Sequence, residues 1–165
     1  MHNCSNVNHR RRWRHDVFIS FRGSDVRHTF VSRLRAALRR EGVTSFADDD
    51  SRDLPRGENL KEAISRAIER SRLSVVVLSP NYASSKWCLD ELVHIMRCCT
   101  STSRAGHVAI PIFYHLSPEE VSGCYKEDLD RHKRRHTYER VDGWLRALAW
   151  IAGISGWVFP AAACQ

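Results

Sequence analysis

Apolar and polar positions fall into blocks along this chain. Four short runs are rich in β-branched and aromatic residues: Asp16 to Phe21 (DVFISF), Val43 to Ala47, Leu73 to Leu78 (LSVVVL) and Val108 to Tyr114 (VAIPIFY). Runs of this length with few polar residues predict buried strands. LSVVVL has the least polarity and is expected at the sheet centre. Pro111 lacks an N–H, so it points to an outer position or a bulge in the fourth strand.

Between the strands the apolar residues recur every three or four positions. Phe30, Val31, Leu34, Ala37 and Leu38 make one stripe, with Ser24-Asp25 as N-caps and Gly42 as C-cap. Leu60, Ile64, Ala67 and Ile68 make a second, entered from Glu58 or Asn59. Leu89, Leu92, Ile95 and Met96 make a third, on a helix from about Ser85 to Thr100. Asp48 to Gly57 and Ser101 to Gly106 read as loops. After the fourth strand, His115 to Gly123 reads as a loop and Tyr125 to His136 as a short polar helix with Leu129 inward. Asp142 to Ile151 is an amphipathic helix burying Trp144, Leu145, Leu148 and Ile151, and Gly156 to Phe159 is a short closing strand.

Strands and helices thus alternate. With right-handed crossovers this gives an α/β fold, a doubly wound parallel sheet with helices on both faces. Ligands bind such sheets at the carboxyl ends of the strands. Arg22 to Asp25, Asp48 to Gly57 and Ser79 to Trp87 all leave carboxyl ends and can converge on one cleft.

The length of 165 residues fits one domain, and the net charge of +7 is clustered in His9 to His15 and Arg131 to Arg140. Such blocks suit anionic partners or a solvated face, so nucleic acid stands as a minor alternative partner. The six cysteines include an adjacent pair, Cys98-Cys99, and no zinc-ligand spacing. Reduced thiols in a cytoplasmic or nuclear compartment are expected. The N-terminal segment lacks the apolar core of a secretory signal, and no apolar run approaches the ~20 residues of a membrane span. No membrane partner is expected.

Several chemistries are excluded by their motifs. GxGxxG, GxxxxGK[ST] and GxSxG are absent. The third strand ends Leu78-Ser79-Pro80, without a phosphoacceptor Asp. Asp48, Asp49 and Asp50 are neighbours in a turn and point in different directions, so they read as solvated charges, and no metal site is expected. No histidine is assigned a catalytic role.

The stretch Ser84 to Leu92 (SSKWCLDEL) remains. Trp87 and Glu91 are four apart and share a helix face. Near a helix start a carboxylate gains about 0.3–1 kcal/mol from the macrodipole. Alternatively, Glu91 faces the cleft with Trp87, binds ribose hydroxyls and stabilises an oxocarbenium-like transition state. No second acid stands out in the cleft, so cleavage needs a good leaving group. Nicotinamide, which leaves NAD+ as a neutral molecule, is one. The residues alone leave both readings open.

DVFISFRGSD, SFADDD with LPRGENL, SVVVLSPNYASSKWCLDEL and VAIPIFYHLSPEEV resemble, in that order, the plant class of TIR (Toll/interleukin-1 receptor-like) domains. The resemblance runs from Asp16 to Phe159. It implies a flavodoxin-like fold with strand order 2-1-3-4-5. Residues 1–14 are then a basic N-terminal arm, 15–159 the domain and 160–165 a tail, as in a TIR-only protein. It also implies cleavage of NAD+ to nicotinamide and ADP-ribose-type signalling nucleotides, and leaves open whether NADP+ is used as well. In plant innate immunity those products signal to lipase-like complexes. NAD+ is substrate, and no cofactor is expected. Glu91 falls on the catalytic glutamate, Ser85 and Trp87 on the SxW element, and Arg22, Gly23 and Asp25 on the nucleotide-binding loop. Asp48 to Gly57 falls on the mobile BB loop, which links self-association to catalysis. Three departures stand out. Ser32-Arg33 replaces a Ser-His pair at a self-association surface, Val26 replaces a Thr, and the region after Val121 is short. The competing expectation is a non-catalytic adaptor acting through TIR–TIR contacts alone.

Overall fold

The computed structural model describes residues 13–47, 59–102 and 106–161. The arm up to residue 12, the Asp48 to Gly57 loop and residues 162–165 lie outside them. Five parallel strands form one sheet: β1 His15–Phe21, β2 Ser45–Ala47, β3 Ser71–Leu78, β4 Val108–Tyr114 and β5 Trp157–Phe159. Their order is β2-β1-β3-β4-β5, the 2-1-3-4-5 order expected. β3 is central, with Ile19 opposite Val75 on one side and Val75 opposite Ile110 on the other.

The helices are α1 Gly23–Val26, α2 Ser32–Arg40, α3 Leu60–Glu69, α4 Lys86–Thr100, α5 Val121–Cys124, α6 Lys126–Lys133 and α7 Tyr138–Ala152. Side chains alternate across each strand, so the sheet buries two separate cores. Phe18, Val76, Leu78 and Phe113 pack with α3, α4 and α7. Val17, Ile19, Val75, Val77 and Ile112 pack with Phe30, Leu34 and Leu38 on the other face. The handedness rule explains the split. Only the β1–β2 crossover moves leftward in the sheet order, so only its helices lie on the second face.

That face is thinly covered. No residue of α2 is buried, and β5 is exposed along its length, Trp157 at 62%.

Several local expectations need correction. Ser24 and Asp25 do not cap the first helix. Its N-cap is Arg22, and Asp25 lies in the first turn with its carboxylate used elsewhere. The predicted single helix is interrupted by a π turn at Arg27–Val31. Leu60 and Leu145 are exposed at 43% and 39%. Leu60 is the first residue of α3, outside the packed part of the stripe, where Ala63 takes the inward place. Leu145 stands one residue from Trp144, and Trp144 occupies the inward face. Met96 only packs at the edge of the core. The loop predicted after β4 contains a 3-10 turn, Pro118–Glu120, and α5.

Two glycines serve the backbone. Gly42 ends α2 with φ +73°, a left-handed conformation other residues adopt at a cost. At Gly156 a Cβ would overlap the Pro111 carbonyl oxygen. Pro111 itself pairs with Val76, and the β4–β5 ladder begins one residue later, at Ile112. The missing proline N–H therefore falls before the ladder starts.

Candidate functional site

The site is assembled where β1 and β3 end. After Leu78 the chain turns through Ser79-Pro80-Asn81, makes a 3-10 turn at Tyr82–Ser84 and enters α4. Ser85 is the N-cap, its Oγ accepting from the Cys88 N–H at 3.4 Å. The turn is held from two sides. Asp25 accepts from Ser79 Oγ at 2.5 Å, Asn81 N at 3.0 Å, Asn81 Nδ2 at 3.1 Å and Ser24 Oγ at 3.3 Å. From below, Tyr125 OH donates to the Ser79 carbonyl at 2.7 Å. Burial works to raise the Asp25 pKa, but the bonds from Ser79 and Asn81 win and hold it below the usual carboxylate value.

Ser20 is the hydroxyl inside the apolar β1 run. It alternates with Phe18, so it faces α4. Its Oγ donates to Glu91 Oε2 at 2.7 Å and lies 2.8 Å from Tyr82 OH. Tyr82 OH is also 3.0 Å from the Cys88 carbonyl. The Cys88 thiol donates to the Phe21 carbonyl at 3.4 Å, which ties the start of the Arg22 loop to α4.

Glu91 is 7% exposed. It is the sixth residue of α4, and no acid lies in that helix's first turn. The macrodipole acts within the first turn and is worth about 0.3–1 kcal/mol there. Withdrawing a carboxylate from water costs several kcal/mol even after relaxation. A favourable helix position therefore does not explain a buried Glu91.

Trp87 is 48% exposed. With Glu91 it lines a cleft of about 210 Å³ bordered by Lys61 of α3, His94 of α4 and Arg140 of α7. The Lys86 ammonium lies 5.7 Å from the Trp87 ring centroid. Gly23 faces the Arg27 guanidinium, where a Cβ would collide with it. Among the described residues, the buried Nε of Arg22 has no hydrogen-bond partner.

The structure thus joins Asp25 to the β3 turn and Trp87 to Glu91. Arg22 and Gly23 are not among the described residues that line the cleft with Glu91. Sequence reasoning missed Ser20, Tyr82 and Asp90. Ser20 carried a signal, a lone hydroxyl in a buried strand. Asp90 accepts from Arg140 Nη2 at 2.6 Å and Trp144 Nε1 at 2.9 Å, clamping α7 onto α4. Two histidines bind structural partners: His132 Nε2 is 2.9 Å from the Ala83 carbonyl, and His107 bridges Ser74 Oγ and the Ser71 carbonyl.

A five-stranded parallel sheet in 2-1-3-4-5 order, with an acid-bearing cleft between α3, α4 and α7 on one face, defines a flavodoxin-like domain. The TIR domain family model matches residues 14–162, and the chain belongs to that family. Its relatives are plant disease resistance proteins. It is 43% identical over 146 residues to disease resistance protein RUN1 of Vitis rotundifolia, covering 87% of this chain and 11% of that protein. It is 39% identical over 150 residues to TMV resistance protein N of Nicotiana glutinosa, covering 88% and 13%. The chain therefore spans about a tenth of the length of these relatives. Among solved structures, the TIR domains of the activated Roq1 resistosome match with a TM-score of 0.76 and 37% identity, over 87% of each chain.

Proposed function

We propose that this chain cleaves the nicotinamide–ribose bond of NAD+ as part of plant immune signalling. The observation that carries this reading is the buried carboxylate of Glu91 lining a cleft beside half-exposed Trp87. A charge kept out of water at net cost, in a cleft, suits a group used in chemistry. Glu91 stabilises the oxocarbenium character at C1′ of the ribose while neutral nicotinamide departs with the bonding pair. Water then adds at C1′ and loses a proton, so NAD+ and water give nicotinamide, ADP-ribose and one proton. An internal hydroxyl or ring nitrogen adding instead gives a cyclic product. Trp87 offers a ring face for stacking. The unpartnered Arg22 Nε suits a phosphate oxygen. Asp25 has its oxygens committed to Ser79, Asn81 and Ser24, so its part is to hold the two loops together. Ser85 caps α4 and sets the direction of Trp87.

Roq1 TIR domains are part of a resistosome. Self-association of this chain belongs to the same proposal, with NADP+ as a second substrate and lipase-like complexes as receivers of the products. The basic block at Arg131 to Arg140 favours nucleic acid less than its charge suggests. Arg131 pairs with Asp128, Lys133 with Asp130 and Arg140 with Asp90.

The test is nicotinamide release from NAD+ by concentrated protein, beside Glu91→Ala. Wild-type release that falls at least about a hundredfold in the variant is expected. Equal release by the variant removes Glu91 from the chemistry. No release by wild type, even when assembly is forced, favours the adaptor reading, for which the exposed Trp157, Val158 and Phe159 offer a contact surface.

A further inference from the structure

The hydroxyls beneath Glu91 can be assigned directions by counting hydrogens. Ser20 and Tyr82 each carry one. Three short contacts connect them in series: Glu91 Oε2 to Ser20 Oγ at 2.7 Å, Ser20 Oγ to Tyr82 OH at 2.8 Å, and Tyr82 OH to the Cys88 carbonyl at 3.0 Å. Ser20 and Tyr82 are both fully buried. The far end, a carbonyl, only accepts. Burial first, then the charges of Cys88 and Glu91, push the Tyr82 phenol well above its ordinary range, so it keeps its hydrogen.

When Glu91 is ionised it can only accept. Ser20 then gives its hydrogen to Oε2, and Tyr82 gives its hydrogen to Ser20. When Glu91 carries a proton on Oε2, the order reverses. Glu91 donates to Ser20, Ser20 to Tyr82, and Tyr82 to the Cys88 carbonyl. The Glu91–Ser20 and Ser20–Tyr82 contacts carry a hydrogen in both states, and the Tyr82–Cys88 carbonyl contact carries one only when Glu91 is protonated. No proton passes along the series; each hydroxyl keeps its hydrogen and rotates.

We propose that Ser20 and Tyr82 form a reversible hydroxyl relay that holds the Glu91 carboxyl group in one position through both gain and loss of a proton. The proposal deepens the reading of Glu91 as the cleft carboxylate and rests on it. Addition of water at C1′ releases a proton, and a nearby carboxylate that accepts it must not lose its place. A carboxylate held by a fixed donor, such as a backbone N–H, would meet a donor-against-donor clash on protonation. A pair of rotating hydroxyls avoids that clash. Ser20 and Tyr82 are positioning residues here, acting through Glu91.

Other charges face the same cleft. Lys61 comes from α3, Asp90, His94 and Arg97 from α4, and Glu139 and Arg140 from α7. They are the same in every variant, so they do not distinguish one variant from another. The relay makes a directional demand that they do not. Ser20→Ala removes the donor to the ionised form. Tyr82→Phe removes the acceptor that the protonated form needs for the Ser20 hydrogen.

The experiment follows the Glu91 side-chain carboxyl carbon by NMR through pH in the full chain. Wild type, Ser20→Ala, Ser20→Cys, Ser20→Thr and Tyr82→Phe are compared, with amide spectra confirming that each is folded. The Ser20→Ala midpoint is expected to rise by about one pH unit, the scale of one lost hydrogen bond to a carboxylate. Ser20→Cys, with a weaker donor, rises less and serves if the alanine variant does not fold. Ser20→Thr keeps the hydroxyl and the wild-type midpoint. Tyr82→Phe does not raise the midpoint. An unmoved midpoint in both Ser20→Ala and Ser20→Cys overturns the relay, as does a rise in Tyr82→Phe equal to that in the Ser20 variants. The readout needs no turnover. Absent nicotinamide release by wild type would thus overturn the proposed activity while the midpoints still judge the relay.

Discussion

Glu91 sits at the balance between stability and chemistry. Its carboxylate is buried, and Ser20 supplies a hydrogen bond worth about 1.5–3 kcal/mol to a charged group. The withdrawal from water costs at least as much. Neutral glutamine keeps the shape and an oxygen for Ser20. Glu91→Gln is therefore expected to unfold at a temperature no lower than wild type, while nicotinamide release is lost. A calorimetric scan beside the activity assay checks this. A clear fall in Tm would make Glu91 a structural residue.

At the scale of elements, two carboxylates join parts of the chain distant in sequence. Asp90 bonds Arg140 and Trp144, so α7 is held against α4. The ion pair is partly exposed and screened, but the buried Trp144 N–H has an accepting partner in Asp90. Asp90→Ala is expected to cost about 1–3 kcal/mol, mostly through that N–H, since leaving a buried donor unpaired costs this much. Denaturant melts of Asp90→Ala, Arg140→Ala and the double variant would show less than additive loss. Asp25 joins the β1 and β3 loops. Its pKa is depressed in the folded chain, so its stabilising contribution is complete above the unfolded value, about 4, and is lost as pH falls through the folded value. Asp16 and Asp130 are lowered as well and share this direction. Melting temperature should therefore decline below about pH 4, and Asp25→Asn should flatten part of that decline.

At the scale of the whole molecule, the two sheet faces are unequal. One packs α3, α4 and α7 over a continuous core; the other carries α2, none of whose residues is buried. Trp157 and Phe159 leave aromatic surface exposed beside Phe30, whose ring lies 5.0 Å from Phe159. Exposed apolar surface of this kind binds hydrophobic dyes and promotes association. Trp157→Ser is expected to lower dye fluorescence with little change in Tm, because the Trp157 side chain is mostly in water. An equal loss of stability would mean that β5 depends on it.

The chain by itself determined its strands and its longer helices and their order along the sequence. LSVVVL could only be a buried strand, and the three- and four-residue spacing of apolar positions placed α3, α4 and α7 to within a few residues. Those signals are local, because a buried face must repeat with the period of its own backbone. It also singled out Trp87 and Glu91 as one helix face, but could not say whether that face met solvent, core or cleft. Tertiary structure decided what depends on residues far apart in sequence. Ser20 and Glu91 are 71 residues apart, Asp25 and Ser79 54, and Asp90 and Trp144 54. Which of Leu145 and Trp144 turned inward was settled by the neighbour across the groove. Periodicity ranks faces, whereas hydrogen bonds between elements choose partners. Only the folded sheet brings a β1 hydroxyl under an α4 carboxylate.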